Sequence, residues 1–174
     1  MEKTVKDKRL LDGPLGYVVY IMLGVVLAIL LRTFCFTIGK VPSGSMEPTI
    51  AIGDRIFINR LINKSSIQRG EIIIFHPTID PSKIFVKRLI GVGGDTVRID
   101  NGVVYVNGIQ LVEPYVKNKD LLSMEELTVP KDEFFFLGDN RANSDDARYW
   151  EVKTVKKSAI VGSLAFNITE VLGH

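Results

Sequence analysis

Ser43 and Ser45 stand on either side of Gly44 in the segment Val41-Pro42-Ser43-Gly44-Ser45-Met46-Glu47-Pro48-Thr49-Ile50. The two prolines stiffen the segment and the glycine leaves one position permissive, a composition suited to presenting a side chain. A serine hydroxyl is a weak nucleophile until a base takes its proton, so this segment can do acyl chemistry only with a partner elsewhere. Taken alone it reads as a polar turn, with a nucleophile loop as the alternative.

Histidine is a poor candidate for that base. The chain has two, His76 and His174. His174 is the last residue, and His76 closes the apolar run Ile72-Ile73-Ile74-Phe75, where a satisfied strand-end histidine is the ordinary reading. Lysine is the remaining base, and it must be neutral to accept a proton. Exposed lysines titrate near about 10.4, so a basic lysine needs an apolar setting. In Ile84-Phe85-Val86-Lys87-Arg88-Leu89-Ile90, Lys87 has Phe85 and Leu89 two positions away on either side. On a strand these share its face and desolvate it, while Arg88 projects to the other side. The alternative is a solvated lysine on an ordinary strand. Gly91, Gly93 and Gly94 follow, implying a tight turn or a close backbone approach. No Gly-Lys-Ser/Thr follows them, which argues against a phosphate loop.

A third cluster runs from Gly138 to Trp150 and includes Asp139, Ser144, Asp146 and Arg148. Dense Asp, Asn and Ser suit a solvated loop or a calcium loop, but the spacing departs from an EF-hand. Interleaved arginines make a cross-linked turn the better reading.

These clusters need elements to hold them. From Gly13 to Leu31 nineteen residues carry no charge. At about 1.5 Å per residue they approach the roughly 30 Å hydrocarbon layer, so a transmembrane helix is expected over 13–31. Lys3, Lys6, Lys8 and Arg9 precede it, whereas Arg32 and Lys40 follow. That asymmetry places a tail, 1–12, in the cytoplasm and 32–174 outside. No small-x-small exit follows the apolar run, so the helix reads as an uncleaved anchor. After Lys40 come short β-branched runs at 55–59, 71–75, 84–90, 96–99, 103–106, 133–137 and within 160–168, separated by turn residues. Asp100-Asn101-Gly102 is a hairpin signal. The expected fold is therefore an all-β domain of antiparallel sheets after one N-terminal helix, with an irregular excursion around 107–130. A net charge of +2 leaves no footprint for nucleic acid. Cys35 is the only cysteine, so no internal disulfide can form and a structural zinc site lacks ligands.

In their order along the chain, the three clusters resemble those of type I signal peptidases, membrane-anchored serine peptidases that remove signal peptides from exported proteins. The matching blocks are Pro42 to Thr49 with Gly53-Asp54-Arg55, Val86-Lys87-Arg88 through Gly94-Asp95, and Gly138 to Arg148. Ala142 and Ala147 depart from the family pattern, at positions commonly Asp and often Ser. The resemblance implies Ser45 as nucleophile and Lys87 as general base. It implies Ser43 and the Ser45 N–H as oxyanion hole, and Ser144 as the residue orienting Lys87. Arg88, Asp139, Asp146 and Arg148 become structural supports, with Asp139 paired to Arg88. Met46, Phe85 and Val86 would line shallow pockets that select Ala-x-Ala-like sites. The implied setting is the plasma membrane, the partners are signal peptides, the lipid bilayer and the export machinery, and neither metal nor organic cofactor is required. Two other functions fit parts of the sequence: a self-cleaving Ser-Lys peptidase, and a catalytically silent anchored β-domain serving as a scaffold.

Overall fold

The structure, a computed structural model, describes residues 13–173. The tail assigned to 1–12 and His174 lie outside the described residues. Helix α1 spans Pro14–Phe34, with proline in its first turn, where the missing N–H costs nothing. Residues 17–34 are exposed throughout. The helix runs three residues beyond the expected end at Leu31, because Arg32, Thr33 and Phe34 continue its geometry. Arg32 suits the negative end of the helix dipole, and the Thr33 hydroxyl donates back to the Ile29 carbonyl. Cys35 then closes the helix by donating to Leu31 O at 2.9 Å.

The remainder is β-rich. The strands are β1 (Phe36–Lys40), β2 (Arg55–Asn59), β3 (Ile72–Phe75), β4 (Phe85–Val92), β5 (Thr96–Asp100), β6 (Val103–Val106), β7 (Ile109–Gln110), β8 (Met124–Thr128), β9 (Glu133–Leu137), β10 (Val155–Lys156) and β11 (Ile160–Asn167). A short helix α2, Ile168–Val171, follows. The seven-stranded sheet has the order β1-β2-β11-β3-β4-β9-β10, and the four-stranded sheet β7-β6-β5-β8. All pairings are antiparallel. The β5–β6 hairpin turns through Asn101 and Gly102, both with positive φ, as the sequence predicts.

The expected strands form, but β1, β7, β8 and β10 are additions. Two of them fall inside the excursion at 107–130, which therefore belongs partly to the smaller sheet. One apolar core joins the two sheets, with Phe75, Leu89, Phe135 and Phe136 from the larger and Val97 and Val104 from the smaller. A second core gathers Val41, Met46, Ile50, Ile56, Ile58 and Ile74. It lies under the Ser45 segment, so that turn is seated by its own apolar side chains.

Candidate active site

The Ser45 segment connects β1 to β2. At its mouth Val41 N–H donates to Asp54 O at 2.9 Å and Gly53 N–H to Val41 O at 2.8 Å. Across the chain, Asn140 holds it twice, through backbone N–H to Ser45 O at 3.0 Å and side-chain Nδ2 to Gly44 O at 2.9 Å. Ser45 is buried to 7% exposure, with its hydroxyl 3.5 Å from that of Ser43. The Ser45 N–H has no hydrogen-bond partner among the described residues. Gly44 is not among the positive-φ residues, so the dihedral freedom expected of it is unused. A Cβ there would meet the Glu47 carboxylate at 2.8 Å, the end of a flexible side chain that can turn aside.

Lys87 sits in β4 opposite Ile73 of β3 and is 4% exposed. Its Nζ lies 5.4 Å from the Phe85 ring centroid. Burial pushes its pKa down from 10.5 to about 8, against the opposing charges of Asp146 and Asp145. A groove of about 460 Å³ brings together Ser43, Ser45, Met46, Phe85, Val86 and Lys87. β4 pairs with β3 over Phe85–Arg88 but with β9 only from Arg88 onward. The Phe85–Lys87 stretch therefore has one edge without a strand partner. The groove follows that edge, which is why neighbours from opposite faces of β4, Val86 and Lys87, both line it.

Among the described residues, no hydrogen bond joins Ser45 Oγ to Lys87 Nζ, the Ser45 hydroxyl facing that of Ser43 instead. Ser144 is 7% exposed, and its Oγ is buried without a hydrogen-bond partner among the described residues. Its hydroxyl and the Ser45 carbonyl oxygen both crowd Gly138, where a Cβ would collide with each.

The charged residues form braces around this groove. Arg88 forks onto Asp139 with contacts of 2.8 and 2.6 Å, and Thr49 Oγ1 donates to the same carboxylate at 2.6 Å. That chain of contacts ties the Ser45 turn to β4. Arg148 forks onto Asp146 at 2.7 and 2.8 Å, and Asp146 accepts from Gly138 N–H at 3.0 Å. Arg148 also pairs with Asp120, Arg141 with Glu113, and the Arg88 guanidinium stacks 3.9 Å from the centre of the Tyr115 ring. Thr49, Asn140, Arg141, Glu113, Tyr115 and Asp120 were not singled out by the sequence. Glu113 and Asp120 pair with arginines 28 residues further along the chain, and nothing in their own segment points to those partners. Of the two departures, Ala142 is exposed, its N–H donating to Asn118 O at 3.1 Å, and Ala147 is fully buried in the main core.

A family described as signal peptidase, peptidase S26, matches residues 15–169. A probable signal peptidase I-2 of Synechocystis sp. is 44% identical over 72% of this chain and 61% of its own length. Signal peptidase I T of Bacillus subtilis is 36% identical over 95% of this chain and 89% of its own. A crystal structure of a signal peptidase I from Enterococcus faecalis superposes with a TM-score of 0.51 at 34% identity, covering 57% of this chain and 97% of that one. The match across nearly all described residues, together with the antiparallel β architecture, leads to one assignment: this chain belongs to the type I signal peptidases, serine endopeptidases of the peptidase S26 family.

Proposed function

We propose that the protein is a single-pass plasma-membrane endopeptidase that cuts signal peptides from exported preproteins after Ala-x-Ala-like sites, using Ser45 and Lys87. The observation that carries the reading is a buried lysine with its pKa near 8 in the same groove as a serine held by a two-point clamp. At neutral to alkaline pH a useful fraction of Lys87 is the free amine. It takes the Ser45 proton as Oγ attacks the scissile carbonyl. The resulting oxyanion is held by the Ser45 N–H and the Ser43 hydroxyl, a donor pair aimed at developing charge. Collapse breaks the peptide bond, and the Lys87 ammonium returns its proton to the departing amine of the mature protein. Water, deprotonated by Lys87, then hydrolyses the Ser45 ester. Ser144 orients the amine by accepting or donating through its unpartnered hydroxyl.

The unpaired edge of β4 suits an extended peptide that adds itself as a strand. Met46, Phe85 and Val86 leave room there for small side chains. Helix α1 anchors the enzyme with the N-terminal tail in the cytoplasm and the β-domain outside, so the groove meets preproteins as they emerge from the export machinery. The test is cleavage of a preprotein by purified Ser45→Ala, Lys87→Ala and Lys87→Arg. All three are expected to lose activity, the last because guanidinium stays protonated. Retained cleavage by any of them removes that residue from the dyad.

A further inference from the structure

At the foot of α1 lies a second cleft of about 560 Å³, whose lining includes Phe34, Arg60, Lys64, His76, Ile84 and Ser158. No carboxylate lines it. Among the described residues, Arg60, Lys64 and His76 form no ion pair. Backbone carbonyls hold them instead: Arg60 Nη1 donates to Thr33 O at 2.7 Å and Lys64 Nζ to Ile160 O at 2.5 Å. His76 Nδ1 lies 2.9 Å from Lys83 O, which makes Nδ1 the donor and leaves Nε2 directed elsewhere. Arginine has five N–H groups and lysine three, so each keeps donors to spare. A concave set of surplus donors without a counter-charge is complementary to a phosphate. Its position narrows the source. Phe34 ends the exposed apolar helix, and Arg60 grips the carbonyl of the residue before it. A bilayer spanned by α1 would have its headgroups at this level.

We propose that this cleft binds the phosphate of an anionic phospholipid from the leaflet at the C-terminal end of α1. The inference rests on α1 spanning the bilayer. Its consequence reaches the catalytic groove, because Ile84 lines both cavities. His76 also grips the carbonyl of Lys83, another groove-lining residue. A bound headgroup therefore steadies the edge of β4 along which an extended substrate would lie, and lipid composition enters the rate of cleavage.

The test uses the full chain in phosphatidylcholine vesicles made with and without phosphatidylglycerol, alongside a variant carrying Arg60→Gln and Lys64→Gln. Both glutamines keep a donor for the carbonyls while removing the charge. Native mass spectrometry of the extracted protein reads lipid retention. The unmutated protein is expected to retain phosphatidylglycerol over phosphatidylcholine on the order of tenfold and to cut preprotein faster when it is present. The double variant loses both preferences, yet cuts a short peptide in detergent at the unmutated rate. Equal retention by the two proteins overturns the proposal. Displacement of the lipid by free orthophosphate overturns it as well, since the cleft would then be a site for the soluble anion. Failure to float with either vesicle strikes at a different point, the membrane-spanning reading of α1.

Discussion

Lys87 is held in a buried setting that disfavours its charged form. Its folded pKa of about 8 lies below the 10.5 of a solvated lysine. The unfolded chain therefore binds the extra proton between those values, and native stability rises with pH across that window. Below about pH 8 the buried ammonium costs about 3 kcal/mol, the free-energy equivalent of a pKa lowered from 10.5 to about 8. Lys87→Met, which keeps the volume, is expected to be inactive yet more stable by that order at pH 6, the gain fading as pH passes from 8 to 10.5. Denaturant midpoints at several pH values check this, and a loss of stability at pH 6 would oppose it. Ser144→Ala is expected to lower kcat roughly tenfold to a hundredfold with KM little changed, the weight of the one hydrogen bond its hydroxyl is proposed to make to Lys87 during the reaction. The burial of Lys87 was legible in the sequence because Phe85, one of the strand neighbours expected to desolvate it, lies beside its amine. Thr49 and Asn140 were not, because their partners Asp139 and Gly44 lie 90 and 96 residues away. The expected conformational freedom at Gly44 goes unused because composition marks a glycine but not the dihedrals it adopts.

At the scale of elements, the loop from Gly138 to Arg148 grips the Ser45 turn through Asn140 and Asp139. Gly138→Ala is expected to abolish cleavage, because the Cβ would strike Ser144 Oγ and the Ser45 carbonyl together and the latter, as backbone, cannot swing aside. A circular-dichroism spectrum like the unmutated one would show that the β-domain persists. Asp139→Ala leaves Arg88 without its counter-charge in a largely buried site. It is expected to destabilise the fold by about 3 kcal/mol or more, measured by denaturant titration. Strands with clear β-branched runs were legible; the missed ones are instructive. β1 contains Gly39 and is an edge strand, pairing only with β2. β8 carries Glu125 and Glu126 in succession and is likewise an edge, so its identity comes from pairing with β5 rather than from its own propensity. The arginine braces from Arg141 and Arg148 reach into the excursion at Glu113 and Asp120, which is what turns an irregular stretch into a support.

For the whole molecule, an exposed apolar helix long enough to cross a bilayer leads into the domain that holds the groove. Helix α1 hands directly into β1, and Arg60 N–H donates to Cys35 O at 2.9 Å beside the junction. With the tail inside, protease added to right-side-out vesicles is expected to digest the β-domain and spare the N-terminal fragment. Protection of the β-domain would reverse the proposed orientation. The apolar helix was legible because nineteen uncharged residues suffice to mark it, whereas the groove required the fold to place three distant segments side by side. The central claim is that Ser45 is activated by an uncharged Lys87, and the pH dependence of kcat/KM for preprotein cleavage tests it most directly. The rate constant is expected to rise about tenfold per pH unit below the lysine pKa and to level off above a midpoint near 8. A profile that stays flat from neutral to alkaline pH would contradict a lysine base.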